Sequence, residues 1–315
     1  MSTPSGVLKA NTVDWGRPPR PTDDRSALAT LLRTPKSQLL CIFAVLLVVA
    51  APFDGGLAVL PNVVIASLGA CVVDVAYTYW ESKRWIVPSS ALLSGLIVAF
   101  ILGPQEPWIV VLWVAGFSSV SKHVVANERE HIFNPAALAL LVSVPLFSTG
   151  QSWWGALGDA PGPLTLLLIA GGVFIVDRLN KFPLVLAFLA TYFVAFAAVS
   201  MFDAGAVAEM FRSPFVQSAL FLAFFMLTDP PTSPNRFGDQ VVIGVVAALV
   251  ACASQLLGAG QVYLLLGVLA ANVWLAVRRW LQRRPRQPSP RERRRARRAA
   301  MATRVVSVPV PVRVR

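Results

Sequence analysis

Two places in this chain set polar side chains beside prolines at the edge of apolar runs. The first is Asn134-Pro135, which leads into the run beginning at Ala136. A proline in the first turn of a helix lacks only an N–H that would go unpaired anyway, and an asparagine before it caps the remaining donors. This describes a well-made helix start. It equally describes a helix N-terminus facing a cavity, where free N–H groups and the dipole hold an anion or phosphate. The second place is Thr228-Asp-Pro-Pro-Thr-Ser-Pro234. There Thr228, Asp229, Thr232 and Ser233 offer hydroxyl and carboxylate groups on a proline-stiffened loop. The plain reading is a rigid turn in which Asp229 caps a broken helix. The functional reading makes the loop, paired with a matching break at Gly103–Pro107, part of a binding site. On that reading Asn134, Pro135, Thr228, Asp229, Thr232 and Ser233 are the candidate binding residues.

Asp74 and Asp177 form a third group, acids inside or at the edge of apolar runs. Carboxylates at membrane depth are costly and mark ion or proton paths unless a cation pairs with them. Lys83, Arg84 and Arg178 stand near enough in sequence to pair, so structural pairing competes with an ion or proton path through Asp74 and Asp229. Other chemistry is poorly supplied. His123 and His131 are the only histidines, separated by a polar run, and the three cysteines, Cys41, Cys71 and Cys252, lie in apolar runs without a CxxC spacing. No metal site is expected from them. No phosphate loop, metalloprotease motif or nucleophile triad occurs, so no catalytic residue can be named.

The elements that must position these groups are membrane spans. Of 315 residues, 56% are hydrophobic and 14% charged, with a mean hydropathy of +0.63, more apolar surface than a soluble domain of this size can hide. Ten apolar segments can be counted, at roughly 38–52, 58–79, 88–102, 107–121, 133–147, 163–176, 182–202, 214–227, 240–257 and 262–280. The third, fifth and eighth are shorter than the ~20 residues a straight crossing needs, which predicts broken or re-entrant helices. With ten crossings, Lys83, Arg84, Lys122, Arg129, Arg178, Lys181 and Arg236 share one face and only Arg212 lies in loops of the other. The positive-inside rule makes the basic face cytoplasmic and puts both termini there, in a bacterial inner membrane.

Ser94-Gly-Leu-Ile-Val-Ala-Phe100 is echoed by Ser218-Ala-Leu-Phe-Leu-Ala-Phe224, and each copy runs into a proline-rich break. The two copies cross in opposite directions. Paired, interrupted segments of this kind indicate an inverted repeat with a site between its halves. The expected organisation is a polar, disordered cytoplasmic tail over 1–36, one five-helix repeat over 37–147, an outward loop over 148–162, a second repeat over 163–281, and a disordered tail over 282–315. From Arg278 onward fourteen arginines face one glutamate, Glu292. That density suits either nucleic acid or anionic lipid head groups. Its place directly after a span, without stacking aromatics beyond Trp280, favours lipid and gives no reason to expect nucleic acid.

These residues resemble the NqrB/RnfD family, membrane subunits of the sodium-pumping NADH:quinone reductase and of Rnf electron-transport complexes. The resemblance is carried by Ser89-Ser-Ala-Leu-Leu-Ser-Gly-Leu-Ile-Val-Ala-Phe100, Gly103-Pro104, Pro107-Trp108, Lys122-His123, Phe133-Asn-Pro-Ala136, Phe225-Met-Leu-Thr-Asp-Pro230 and Ser233-Pro234, in order over about residues 38 to 280. It implies an all-α, polytopic ten-helix fold, an inverted repeat similar to urea transporters, and flavin-linked electron transfer. Family members esterify FMN to a threonine in a Ser-Gly-Ala-Thr-like motif of an outward insertion. Here the corresponding interval, Phe147 to Gly162, has no Ala-Thr pair and only Thr149 and Ser152 as substitutes, so no covalent flavin is expected. The resemblance then implies a noncovalent flavin (FMN or riboflavin) or a quinone, with a soluble reductase or other membrane subunits as partners.

Two functional classes remain. One is an electron-transfer subunit whose cofactor meets Asn134 and the 228–233 loop. The other is a small-solute transporter or channel on the same inverted-repeat fold, its broken helices pointing their dipoles at a substrate. A membrane scaffold that assembles a complex through its arginine tail is a third reading.

Overall fold

The computed structural model describes residues 34–127 and 130–282. The two tails lie almost wholly outside these residues. All ten expected segments are helices: α1 (Pro35–Ala50), α2 (Leu60–Ser82), α3 (Ser89–Ile101), α4 (Trp108–Val124), α5 (Pro135–Phe147), α6 (Thr165–Leu179), α7 (Phe182–Ser200), α8 (Ser213–Phe221), α9 (Phe237–Leu256) and α10 (Tyr263–Gln282). Proline sits within the first two positions of α1, α2, α5, α7 and α8, where its missing donor costs nothing. At the opposite ends, α2, α5 and α6 stop on Lys83, Ser148 and Asn180 in the left-handed conformation, with φ near 55°. The protein is a multi-pass membrane protein. Among the described residues, six helices, counted with their 3₁₀ extensions, are long and apolar enough to cross alone.

The short helices were legible in the sequence. α3 and α5 have 13 residues each, about 20 Å at 1.5 Å per residue against a hydrocarbon core of about 30 Å. α8 has nine residues and runs into a π-helical turn over Leu222–Met226. A π turn leaves the regular ladder out of step, and such turns concentrate at functional sites. One feature was missed. Between α4 and α5, Ala126–Asn127 pairs antiparallel with Glu130–His131 as a two-residue ladder, within the polar run that separates the two histidines.

Packing falls into two sets. α2 packs on α3 and α4, and α4 on α5; α7 packs on α9, and α9 on α10. Across the sets α1 meets α6 and α5 meets α10. Close approach depends on small residues, as lipid-embedded helices require. A Cβ on Gly95 would stand 2.6 Å from the Ala66 carbonyl oxygen, and one on Gly244 would stand 2.5 Å from that of Leu184. Phe43 of α1 lies at the centre, in ring contact with Phe100 of α3 and with Phe221 and Phe225 at the α8 break, at centroid separations of 5.2–5.9 Å. Trp154, from the loop after α5, closes this cluster against Phe100 and donates its indole N–H to the Ala99 carbonyl at 2.7 Å.

Candidate functional site

The starts of α1, α3 and α5, the ends of α4 and α6, and the loop after α8 meet on the basic face around a cavity of about 460 Å³. Helices that cross alternately bring these ends together, so the cavity joins both packing sets. Its apolar wall includes Leu39, Leu93, Ile175, Leu179 and Phe225, and its polar groups are Lys36, Ser90, Ser94, Lys122, His131, Thr228 and Asp229. Pro135, Pro230 and Pro231 complete it. The size and the mix of apolar wall with few polar groups are those of a small-molecule site.

Of the six candidate binding residues, Pro135, Thr228 and Asp229 line the cavity. Asn134, Thr232 and Ser233 are buried behind it and hold it in shape. Asn134 caps α5, its Oδ1 accepting the Ala137 N–H at 3.1 Å, while its Nδ2 donates to the Met226 carbonyl at the end of the π turn, at 3.2 Å. Its backbone N–H donates to Asn272 Oδ1 at 2.8 Å, and Asn272 Nδ2 donates to the Thr232 carbonyl at 3.3 Å. One asparagine on α10 thus pins both proline-marked segments. Ser233 Oγ donates to the Thr228 carbonyl and Thr228 Oγ1 to that of Phe224, so the loop satisfies its own freed acceptors. Asp229 does not cap the following turn with its side chain; instead Thr232 Oγ1 donates to its Oδ2 at 3.3 Å.

Two sequence expectations need correcting. Asp74 pairs with neither Lys83 nor Arg84: its Oδ1 is 2.6 Å from Lys122 Nζ and 2.8 Å from His123 Nε2. A span of α2 turns Asp74 inward against α4, whereas Lys83 and Arg84 lie beyond the end of that helix. The break at Gly103–Pro107 also stays away from the cavity. It is tied to Asn62, whose Nδ2 donates to the Pro104 and Glu106 carbonyls, and to Gly150, whose N–H donates to Glu106 Oε1. Asp177 is exposed. The echoed serines do separate by face: Ser94 lines the cavity, and Ser218 lines a crevice of about 130 Å³ with Gln151, Trp153 and Tyr263.

Electrostatics at the basic face are shaped by burial. Lys181, in the turn between α6 and α7, is almost fully buried and donates to the Pro234 carbonyl at 2.6 Å and Asn235 Oδ1 at 2.9 Å. Desolvation, then the Arg279 charge, lowers it to about 8. Desolvation raises Asp229 to about 6, against the Thr232 hydrogen bond and the charges of Lys36 and Lys181. Desolvation likewise lowers His131, whose Nδ1 is 2.7 Å from the Lys122 carbonyl, so the ring stays neutral near pH 7. Sequence reading missed Asn272 and Lys181. A lone asparagine within the apolar run of α10 was the available signal for the first. Lys181 looked like any positive-inside lysine.

A sequence model of the NQR2, RnfD, RnfE family matches residues 29–165 and 162–285. The chain belongs to this family. Its relatives include proteins named as a subunit of an ion-translocating oxidoreductase complex. The one from Pseudomonas paraeruginosa is 30% identical over 111 residues, 34% of this chain and 32% of the relative. That from Stutzerimonas stutzeri is 36% identical over 115 residues, again 34% and 32%. That from Methanosarcina acetivorans is 26% identical over 218 residues, 62% of this chain and 72% of the relative. The chain thus spans about a third of the length of the first two of these relatives.

Proposed function

We propose that this chain is the membrane electron-transfer subunit of an ion-translocating oxidoreductase of the RnfD/NqrB type. It holds a noncovalent flavin or a quinone in the cavity on the basic face. The observation that carries the proposal is the cavity itself, built where the capped start of α5 and the π-broken end of α8 are locked together by Asn272. The residues fit such a group. Leu39, Leu93, Ile175, Leu179 and Phe225 offer apolar faces for a planar ring, and Ser90, Lys122, Thr228 and Asp229 offer donors and acceptors for its edge. A bound flavin or quinone would supply the electron-carrying chemistry, with the protein orienting it and setting its electrostatics.

The basic face is cytoplasmic on this reading, by the positive-inside rule, so the cavity opens towards a soluble reductase. The contacts of α1 with α6 and of α5 with α10 suit an inverted repeat of five plus five helices, as does the placement of Ser94 and Ser218 on opposite faces. The solute-channel reading fares less well, because Phe43, Phe100, Phe221 and Phe225 fill the centre where a pore would run.

The test is the visible absorption of the protein purified in mild detergent, before and after adding FMN, riboflavin and a quinone. Retained or saturably bound cofactor is the expected result. A colourless preparation that binds none of the three, together with solute flux in proteoliposomes, overturns the proposal.

A further inference from the structure

We propose that the cavity contains an oxyanion seat, formed by Lys122, the start of α3 and Lys36, and that its ligand carries a phosphate group. This deepens the reading above, which by itself leaves a phosphate-free ring equally acceptable.

Lys122 is only 5% exposed, yet its ammonium lines the cavity. Two of its three N–H groups go to Asp74 Oδ1 at 2.6 Å and Ser90 Oγ at 3.3 Å. A third donor on a desolvated ammonium calls for an acceptor, and the cavity is where a ligand can provide one. The same Asp74 oxygen also meets His123 Nε2 at 2.8 Å, so the carboxylate is held where it takes one Lys122 donor and leaves the third to the cavity. Beside Lys122, α3 begins at Ser89 with no side chain capping its first turn, and Ser90 of that turn lines the cavity. A 13-residue helix presents free N–H groups and a partial positive charge at such an end. Lys36, in the first turn of α1, adds a second ammonium to the lining.

Among the described residues, the one acid that lines the cavity, Asp229, comes from the loop after α8 in the other packing set. The first set therefore supplies the cationic groups, and the second supplies the acid. A phosphate monoester on a flavin and the phosphodiester of a lipid head group share the chemistry this seat would recognise: a tetrahedral oxyanion taking charge-assisted hydrogen bonds.

The full chain in lipid nanodiscs distinguishes the sources. Binding of FMN and of riboflavin is measured by quenching of flavin fluorescence, with and without inorganic phosphate as competitor. Phospholipid that survives purification is identified by native mass spectrometry. FMN is expected to bind about tenfold more tightly than riboflavin, as one charge-assisted contact allows. Phosphate should compete with FMN only, and Lys122→Gln should bring the two affinities together. Lys36→Gln, which leaves the buried Asp74–Lys122 pair intact, should narrow the difference and guards against a folding defect in the first variant. If neither flavin binds but an anionic phospholipid co-purifies and is lost in both variants, the seat stands and the flavin reading fails. Equal affinities for FMN and riboflavin overturn the seat while leaving the flavin reading intact. Absence of both flavin and retained anionic lipid overturns the seat as well.

Discussion

Asn272→Leu tests whether a single side chain on α10 holds the two proline-marked segments together. Leucine keeps approximate volume but removes the acceptor of the Asn134 N–H (2.8 Å) and the donor to the Thr232 carbonyl (3.3 Å). Asn134, Thr232 and Asn272 are all buried, so neither orphaned group gains water. Each orphan costs about 1–3 kcal/mol, but hydrogen bonds between membrane helices average only about 0.6 kcal/mol because the unfolded chain finds partners too. For the two bonds these limits bracket a loss of about 1–6 kcal/mol. At about 2–4 °C per kcal/mol for a chain of a few hundred residues, the apparent Tm should fall by about 2–24 °C. Intrinsic tryptophan fluorescence during heating in detergent reads this. In a Cys41→Ser, Cys71→Ser background, maleimide labelling of the buried Cys252, away from the site, separates local loosening from global unfolding. Asn272→Leu should also weaken binding at the cavity, since Asn134 and Thr232 would no longer be held in register. A variant as stable as the parent, with the cavity's ligand affinity unchanged, refutes the argument that this bridge builds the site.

Further outcomes follow from the same packing and charges. Gly244→Ala places a methyl 2.5 Å from the Leu184 carbonyl oxygen, so α9 must move off α7. A loss of about 1–3 kcal/mol is expected in thermal unfolding, whereas Gly238→Ala, in open space and without a positive φ, should cost less. Asp74→Asn leaves Lys122 buried without its carboxylate and should cost about 3–5 kcal/mol, while Asp74→Asn combined with Lys122→Met should recover much of the loss. The recovery is read from melting of the single and double variants. Asp229 gives a pH signature. Its folded pKa of about 6 lies above the ordinary 3.8, so its ionised form opposes folding, and stability from this group falls as pH rises from about 4 to about 6. Asp229→Asn should therefore raise the melting temperature at about pH 7.5, with the gain vanishing near about pH 3.5. A gain independent of pH would exclude the desolvated carboxylate as its cause.

The ten helices and the short third, fifth and eighth among them rest on local properties of the chain, hydropathy over a window and the punctuation of proline. Each could be read without knowing any neighbour. The same holds for the Asn134 cap, because a capping side chain bonds to a backbone group three residues away. Asp74 marks where that kind of reasoning ends. Its partner could not be chosen by proximity in sequence, since Lys122 is 48 residues away and is brought in only when α2 packs on α4.

The residues alone determined a multi-pass, all-helical chain with short third, fifth and eighth helices, and marked Asn134 and the Thr228–Ser233 loop as candidates. Tertiary structure decided which of those groups face a cavity and which brace it from behind, that Asn272 joins them, and that the Gly103–Pro107 break serves the other face. The physical reason is that hydropathy and capping act over a few residues. A cavity exists only between helices, and its shape follows from glycine contacts, aromatic packing and buried hydrogen bonds that link residues far apart along the chain.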